Sequence, residues 1–200
     1  MIKAIISDLG KVVVDYDHHK STRLLSQKSA LTEKEMYDFI YMSKMDTKFD
    51  TGRLTPKALY EHIRRGTGLK MPFAEFKRVF SDIFSLKKDT VKLYASLKKR
   101  GVRFCLLSNT NVLHYEWCKN RFPFLRFFEE TVLSYKTGVM KPHPRIYMEA
   151  VKRLGLKKEE CVYVDDFPEL AEAAELLGLH AVHFRDAGQL KKELNRLLKR

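Results

Sequence analysis

The sequence predicts an α/β protein with a parallel sheet and an all-helical insert, and three observations support this. Short β-rich runs alternate with helical patterns through the C-terminal half, which is typical of repeated β-α units. Residues 17–85 hold four helical patterns and no convincing strand. In a chain of 200 residues, 44% hydrophobic and 12% aromatic residues are enough for a packed core. The length fits one domain, or one domain with a sizeable insertion.

The predicted sheet has five candidate strands, at residues 3–8, 103–108, 130–133, 161–165 and 181–184. Helical patterns accompany them at residues 87–99, 112–120, 144–154, 168–177 and 189–198. Gly101, Gly155 and Gly178 stand where helices are expected to end, because glycine tolerates the positive φ of a C-terminal cap.

The predicted insert contains helices at residues 18–27, 32–45, 55–65 and 73–84. Thr32 and Thr55 are candidate N-caps, and Pro56 follows Thr55 at the first helical position. An all-helical insert between the first and second strands predicts a lid over the sheet.

Composition narrows the class of protein. Lys and Arg number 38 against 25 Asp and Glu, a formal charge of +13, but these residues are spread along the chain and no nucleic-acid-binding motif is present. We therefore expect a solvated basic surface and a small anionic substrate, not nucleic acid. Cys105, Cys118 and Cys161 show no CxxC spacing, which argues against disulfides or zinc. No apolar run approaches the roughly 18 residues of a membrane span, and no signal-peptide core precedes Asp8. We expect a cytoplasmic protein with no membrane partner; the sequence does not predict its oligomeric state.

Polar residues that could bind a ligand or take part in a reaction stand at the predicted strand ends, where open parallel sheets bind ligands. Six such residues lie at or beside these ends: Asp8, Ser108, Asn109, Lys141, Asp165 and Asp166. Taken singly, each has an ordinary structural explanation, as a turn residue, a helix cap or a surface lysine. Their placement along one rim of the sheet favours a common site.

The chemistry that suits this set is phosphoryl transfer. The oxygens of a phosphate monoester repel nucleophiles, so their charge must be neutralised before a carboxylate can attack. Lys141 and a divalent cation would supply positive charge, and the Ser108 hydroxyl would bind phosphate oxygens with the amides of the following turn. Asp8 would attack phosphorus, and water would hydrolyse the resulting aspartyl-phosphate. The pair Asp165 and Asp166 would hold Mg²⁺, which prefers oxygen ligands.

Four segments, in order, resemble the haloacid dehalogenase (HAD) superfamily: IISDLGKVVVD, CLLSNTN, GVMKPHPRIY and VYVDDFPE. The resemblance implies a Rossmann-like, three-layer parallel-sheet core of residues 1–15 and 86–200 with an α-helical cap of residues 16–85. FDTGRLTPKALYE resembles the family's turn between cap helices, although a turn at Gly52 before a helix explains it equally well. The sequence is also similar to a bacterial subgroup that includes glucose-1-phosphate phosphatases.

The resemblance assigns roles to seven residues of this chain. Asp8 is implied as the nucleophile. The implied phosphate-binding residues are Ser108, Asn109 and Lys141. The implied ligands of Mg²⁺ are Asp8, the Gly10 carbonyl, Asp166 and Asp165, with Asp165 alternatively a partner of Lys141.

The chain departs from the family pattern at two positions. Gly10 stands where most HAD phosphatases have an aspartate that protonates the leaving group, and Leu170 stands where an acidic or amide residue is usual, leaving Glu169 as a stand-in. Without the first acid, aryl, acyl and anomeric phosphates are the expected good substrates. Asp15 and Asp17 are alternative proton donors, or ordinary turn and helix caps.

The expected function is a Mg²⁺-dependent phosphatase of small phosphorylated metabolites, sugar phosphates included. Two alternatives remain: a 2-haloacid dehalogenase, which needs no metal, and a phosphate-ligand-binding protein that has lost turnover. Among residues near the insert, His18 and His19 are expected on the helix surface. His114 either packs or faces the site, and Tyr41 lies in the cap core or lines the cap.

Overall fold

A computed structural model describes residues 1–198 of the chain. The strands are β1 (Ala4–Ser7), β2 (Val14–Tyr16), β3 (Phe84–Leu86), β4 (Arg103–Ser108), β5 (Glu130–Leu133), β6 (Cys161–Asp165) and β7 (His180–His183). The helices are α1 (His18–Ser26), α2 (Glu33–Tyr41), α3 (Lys44–Asp50), α4 (Pro56–Thr67), α5 (Phe73–Ser81), α6 (Lys88–Lys99), α7 (Val112–Arg121), α8 (Ser134–Thr137), α9 (Pro144–Leu154), α10 (Pro168–Leu176) and α11 (Ala187–Leu198).

Five parallel strands form the central sheet in the order β5-β4-β1-β6-β7. β1 lies in the middle, so Ile5 pairs with Phe104 on one side and with Val162 on the other. Successive side chains of a strand point to opposite faces, and Ile5 and Ile6 accordingly enter different hydrophobic clusters. Both faces of the sheet are therefore covered, as parallel sheets require.

Helices form the outer two layers. One face carries buried residues of α6, α7 and α11, among them Tyr94, Cys118 and Leu190. The other carries α9 and α10, with Tyr147 and Ala174 in its core. The predicted α/β fold with a three-layer parallel-sheet core is confirmed. Within residues 1–198, every helix is too short or too polar to cross a bilayer.

Helices α1 to α5 pack around a hydrophobic cluster of their own, which includes Met36, Ile63, Phe76 and Phe80. Full burial of each such side chain contributes about 1.5–3 kcal/mol. The N-terminus of α2 is fixed by a capping box between Thr32 and Glu35, as the sequence predicts for Thr32. The cluster also receives Val112 and Leu113 of α7, so this helical block rests on the end of the sheet that carries the predicted site.

Two predicted helices of the insert were wrong at their ends. The helix expected at 32–45 stops at Tyr41, and a separate helix, α3, starts at Lys44 with the Ser43 side chain as its N-cap. The helix expected at 73–84 stops at Ser81, because Phe84 belongs to β3, which pairs antiparallel with β2. This two-stranded ribbon joins the helical block to the sheet. The periodicity did not reveal it because each strand has only three residues.

Candidate active site at the carboxyl ends of the strands

A buried lysine lies between two buried carboxylates at the carboxyl end of the sheet. Lys141 Nζ is 2.8 Å from Asp8 Oδ1 and 2.7 Å from Asp165 Oδ2. The side chains of Lys141 and Asp165 are 2% and 0% exposed, and that of Asp8 is 11% exposed. Asp8 directly follows β1 and Asp165 ends β6, so the parallel register brings together residues that are 157 positions apart in the chain.

Hydrogen bonds from three residues fix the Asp165 carboxylate. Its Oδ2 also accepts a hydrogen bond from the Tyr163 hydroxyl, and its Oδ1 accepts one from the Phe167 N–H at 2.9 Å. Charge-assisted hydrogen bonds of this kind are the strong ones. Asp165 therefore fixes the position of Lys141, which agrees with one of its two predicted roles.

Burial and the charges of neighbouring groups together set the protonation of this cluster. It raises the pKa of Asp8 to about 6; the positive charge of Lys141 pulls against that effect and the negative charge of Asp165 adds to it. For Lys141, burial alone would lower the pKa, but the two carboxylates outweigh it and the pKa is raised. Burial and the neighbouring Asp165 raise the pKa of Asp166. Lys141 is therefore a permanent positive charge within the cluster.

The turn after β4 is fastened to the loop that carries Lys141. Asn109 Oδ1 accepts from the Lys141 N–H at 2.8 Å, and Asn109 Nδ2 donates to the Lys141 carbonyl at 3.1 Å. The side chain of Asn109 thus orients Lys141, and its predicted contact with phosphate stays a prediction. Ser108 is buried and lies on the wall of the same cavity, next to Lys141 and Asp8.

Three carboxylates come close enough to share a cation. Asp8, Asp165 and Asp166 each offer an oxygen, and these oxygens lie within 4.8 Å of one another. The Gly10 carbonyl accepts the Val12 N–H at 2.6 Å, which leaves its second lone pair, and Gly10 lines the cavity. A set of hard, anionic oxygen donors is what Mg²⁺ prefers, so the residues fit the predicted metal.

The cavity above this cluster measures about 200 Å³. Its floor is formed by the sheet end, including Asp8, Ser108, Asn109, Lys141 and Asp166. Its roof comes from β2 and the helical block, and comprises Tyr16, His18, Tyr41, Asp46 and Asp50. The volume is below the 300–1,000 Å³ typical of drug-sized ligands, so the cavity suits a small metabolite.

Tyr16 occupies the space beside Gly10. A Cβ atom at position 10 would lie 2.9 Å from Tyr16 Cε1, which is closer than real side chains approach. The φ of Gly10 is not positive, so the backbone is not what excludes a side chain there. A side chain at position 10 therefore requires the ring of Tyr16 to move.

The other carboxylates considered from the sequence do not line the cavity, neither Asp15 and Asp17, the alternative proton donors, nor Glu169, the stand-in for the residue replaced by Leu170. Asp15 is exposed and paired with Lys11, and the Asp17 side chain accepts from the His19 N–H at 2.9 Å as the N-cap of α1. Glu169 is exposed in the first turn of α10, while Leu170 lines the cavity. None of these three carboxylates is a wall residue.

Sequence reasoning missed most of the roof. His18, expected on the surface, lines the cavity with its ring centroid 4.1 Å from that of Tyr41. His114 both packs and lines the cavity. Asp46 and Asp50 were not singled out at all. In the structure they share a face of α3 with the buried Phe49, but the sequence does not show whether that face lines a cavity or meets solvent.

The parallel sheet with helices on both faces, and the buried Asp8, Lys141 and Asp165 at its carboxyl edge, define an α/β protein with a charged site at the strand ends. Residues 2–178 match the family of haloacid dehalogenase-like hydrolases, and the chain belongs to that family. The resemblance to this family seen in the sequence is thereby confirmed.

Curated relatives and solved structures agree with this membership. The chain is 24% identical, over 99% of both sequences, to a D-ribitol-5-phosphate phosphatase of Bacteroides thetaiotaomicron. A shorter match, 58% identical over 40 residues, covers 20% of this chain and 17% of a glyceraldehyde 3-phosphate phosphatase of Methanopyrus kandleri.

Solved structures share the fold. A HAD family enzyme of Bacteroides thetaiotaomicron, solved with magnesium and inorganic phosphate, superposes with a TM-score of 0.83 at 24% identity, covering 95% of this chain and 99% of that one. A HAD-like hydrolase of Porphyromonas gingivalis gives a TM-score of 0.83 at 23% identity, covering 100% of this chain and 99% of that chain.

Proposed function

We propose that this chain is a Mg²⁺-dependent phosphatase of small phosphorylated metabolites, with Asp8 as the nucleophile. The observation that carries the proposal is the buried Lys141 held between Asp8 and Asp165, with Asp166 and Ser108 beside it. The phosphatase names of two relatives, and the magnesium and phosphate of a solved relative, support it.

Each floor residue then has a defined task. Lys141 holds the Asp8 carboxylate in one orientation and presents its charge to the incoming phosphoryl oxygens. Asp8 attacks phosphorus and becomes an aspartyl-phosphate, which water hydrolyses. Ser108 and the turn at Asn109 bind phosphoryl oxygens. Asp8, Asp166 and the Gly10 carbonyl, together with Asp165 as a further ligand or as the partner of Lys141, would hold Mg²⁺, whose positive charge would neutralise phosphate oxygens.

The helical block serves as the cap of this enzyme, with the division at residues 1–15 and 86–200 for the core and 16–85 for the cap. Its residues roof a cavity of about 200 Å³, which leaves room for the phosphoryl group and a small organic group. Sugar and polyol phosphates meet this size limit. The resemblance to glucose-1-phosphate phosphatases and the ribitol-phosphate relative point in the same direction.

The two alternatives gain less support. Halide displacement by Asp8 needs no cation, and it gives no reason for Asp8, Asp165 and Asp166 to place three carboxylate oxygens within 4.8 Å of one another. A binding protein without turnover is favoured by Gly10 and Leu170 alone.

The test compares Asp8→Asn with the wild type on para-nitrophenyl phosphate and on a panel of sugar and polyol phosphates, with Mg²⁺ and with EDTA. Asparagine keeps the shape but removes the nucleophilic charge, so turnover should fall by roughly 10³-fold or more. Asp89→Asn, a change of the same chemistry on the exposed first turn of α6, should leave turnover unchanged. Full activity of Asp8→Asn, or activity that EDTA leaves untouched, would contradict the proposal.

A further inference from the structure

A phosphatase of alkyl esters must protonate the departing oxygen, and the residues expected to do this in this chain are absent from the cavity. Gly10 has no side chain, and Tyr16 fills the space beside it. Asp15 and Asp17 are committed to Lys11 and to the α1 N-terminus. A proton donor, if the chain has one, must therefore come from another part of the cavity wall.

The roof carries two carboxyl groups one helical turn apart on α3. Asp46 and Asp50 both line the cavity whose floor holds Asp8, Ser108 and Lys141. Both side chains are half-buried, and Phe49 on the same face anchors α3 in the core of the helical block. α3 also contacts α8, which follows β5 directly, so the pair is braced against the sheet as well.

The two carboxyl groups differ in their hydrogen bonding. Asp50 Oδ1 accepts from Asn111 Nδ2 at 3.0 Å, and Asn111 is three residues beyond Ser108 and caps α7. Within residues 1–198, the Asp46 carboxyl receives no hydrogen bond and no ion pair. When one of two neighbouring carboxyl groups accepts a hydrogen bond and the other does not, the first ionises more easily and the second more easily stays protonated.

The electrostatics support the same division. Burial, and then the negative charge of Asp50, raise the pKa of Asp46 to about 7. Burial raises the pKa of Asp50 to about 6, against the opposing hydrogen bond from Asn111. Asp46 is thus the member of the pair that retains its proton near neutral pH, where a general acid is most effective.

Other titratable groups near the pair do not supply a competing proton. From α1 and α7, burial lowers the pKa of His18 to about 4 and of His114 to about 3, so both rings are neutral at pH 7. From α2 and β2, burial raises the pKa of Tyr41 and of Tyr16, so both hydroxyls are much weaker acids than Asp46. From the floor, Lys141 is paired with Asp8 and Asp165, and Asp166 belongs to the cation-binding set. From α8, Lys136 lies over the rings of Tyr115 and Tyr135.

We propose that Asp46 is the general acid of this enzyme, a carboxyl supplied by the helical block in place of the one missing at Gly10, and that Asp50 is its positioning residue. The proposal rests on the phosphatase function proposed above. It changes the expected substrate class, because simple alkyl phosphates become good substrates alongside aryl and anomeric ones.

Asp46 gives up its proton in the first half of the reaction and regains one in the second. A bond forms between an Asp8 carboxylate oxygen and phosphorus while the bond from phosphorus to the leaving oxygen breaks. The electron pair of the broken bond stays on that oxygen, which takes the Asp46 proton and departs as an alcohol. The Asp46 carboxylate then takes a proton from the water that attacks the aspartyl-phosphate, so inorganic phosphate is released and both side chains return to their starting state.

The experiment compares Asp46→Asn, Asp50→Asn and the wild type on an alkyl phosphate, glycerol 3-phosphate, and on para-nitrophenyl phosphate, whose leaving group needs no proton. Asp46→Asn should lower kcat on the alkyl ester about 10²–10⁴-fold, and on the aryl ester at least tenfold less than that. Asp38→Asn is the matched control, because Asp38 lies in the same helical block but is exposed and paired with Lys34. It should leave the ratio of the two rates unchanged.

The pH profile separates an acid from a merely structural residue. In the wild type, kcat for the alkyl ester should fall as pH rises through about 7, where Asp46 loses its proton. Asp50→Asn removes the neighbouring negative charge, so the descending limb should move to lower pH. In Asp46→Asn the limb should disappear.

Three outcomes would overturn the proposal. Equal losses of kcat on the two esters in Asp46→Asn would show that the side chain only supports the fold. Unchanged rates on both esters, with an unchanged descending limb, would assign the proton to another group. Asp8-dependent hydrolysis of para-nitrophenyl phosphate in either case would leave the phosphatase function standing. No Asp8-dependent hydrolysis of either ester would overturn the phosphatase function and the role of Asp46 together.

Discussion

The floor and the roof of the cavity both place carboxyl groups in a poorly solvated environment, but they differ in whether a cation pairs with those groups. On the floor, Asp8 and Asp165 bind one buried lysine at 2.8 and 2.7 Å. On the roof, Asp46 and Asp50 lie one helical turn apart, and within residues 1–198 the pair receives one hydrogen bond, which Asn111 Nδ2 donates to Asp50. The floor therefore holds its carboxylates in a fixed geometry against a cation, whereas on the roof Asp46, which has no such partner within residues 1–198, keeps a proton near neutral pH. The proposed phosphoryl transfer uses both a charged carboxylate and a protonated carboxyl group. The presence or absence of a neighbouring lysine distinguishes the two.

The comparison predicts its largest effect for the removal of the floor cation. Lys141→Met leaves Asp8 and Asp165 buried without their partner, and breaking a buried pair in this way costs about 3–5 kcal/mol. Urea denaturation at pH 7.5 in EDTA, with circular dichroism as the probe, measures the difference in unfolding free energy.

The control for this substitution is Lys34→Met, which breaks the exposed pair with Asp38 and should leave the denaturation midpoint where it is. A loss in Lys141→Met no larger than that of the control would mean that the floor carboxylates are solvated or protonated without Lys141.

Removal of a carboxyl group from the roof should raise the unfolding free energy, whereas removal of the floor cation lowers it. The folded-state pKa of Asp46, about 7, lies above its ordinary value of 3.8, so the folded protein keeps a proton that the unfolded chain releases. This group therefore lowers the unfolding free energy progressively as pH rises from about 4 to about 7. Asp46→Asn removes the penalty and should stabilise the protein by on the order of 1–2 kcal/mol at pH 8, with no gain at pH 4.

Denaturation curves of the wild type and Asp46→Asn at several pH values measure this difference, with Asp38→Asn alongside as the exposed control. A gain that does not change with pH would show that packing, and not the carboxyl charge, distinguishes the variant. A stabilising substitution that removes activity on alkyl phosphates would show that the roof acid is kept at the expense of stability.

The smallest predicted effect lies at the boundary between floor and roof. Gly10→Asp places a side chain against Tyr16 Cε1 and should cost about 1 kcal/mol through overpacking. In a Tyr16→Leu background the contact atom is gone, and the cost of Gly10→Asp should shrink. A double-mutant cycle by urea denaturation measures the coupling. Additive costs would mean that the ring of Tyr16 does not occupy the place of the missing aspartate.

The sequence by itself determined the sheet and the floor of the site. All five strands of the parallel sheet were predicted to within a residue or two, because buried strands read as short apolar runs bounded by glycine and polar residues. Asp8, Ser108 and Asp165 end such strands, and parallel strands end at one edge, so their convergence followed from topology. Lys141 was found through the resemblance of its segment to a known family and by its place in the loop before α9.

Only the tertiary structure decided the roof. Asp46 and Asp50 lie in a seven-residue helix between two turns, and nothing in their spacing distinguishes a cavity wall from a solvated face. Which face is buried depends on where Phe49 docks and on the Asn111 hydrogen bond, a contact 61 residues away in the chain. The contact of the Tyr16 ring with position 10 likewise depends on tertiary structure. It requires the pairing of β2 with β3, two strands of three residues that the whole helical block separates in the chain. Local propensity cannot encode such long-range contacts, because the free energy that selects them comes from packing between segments and not from the segments themselves.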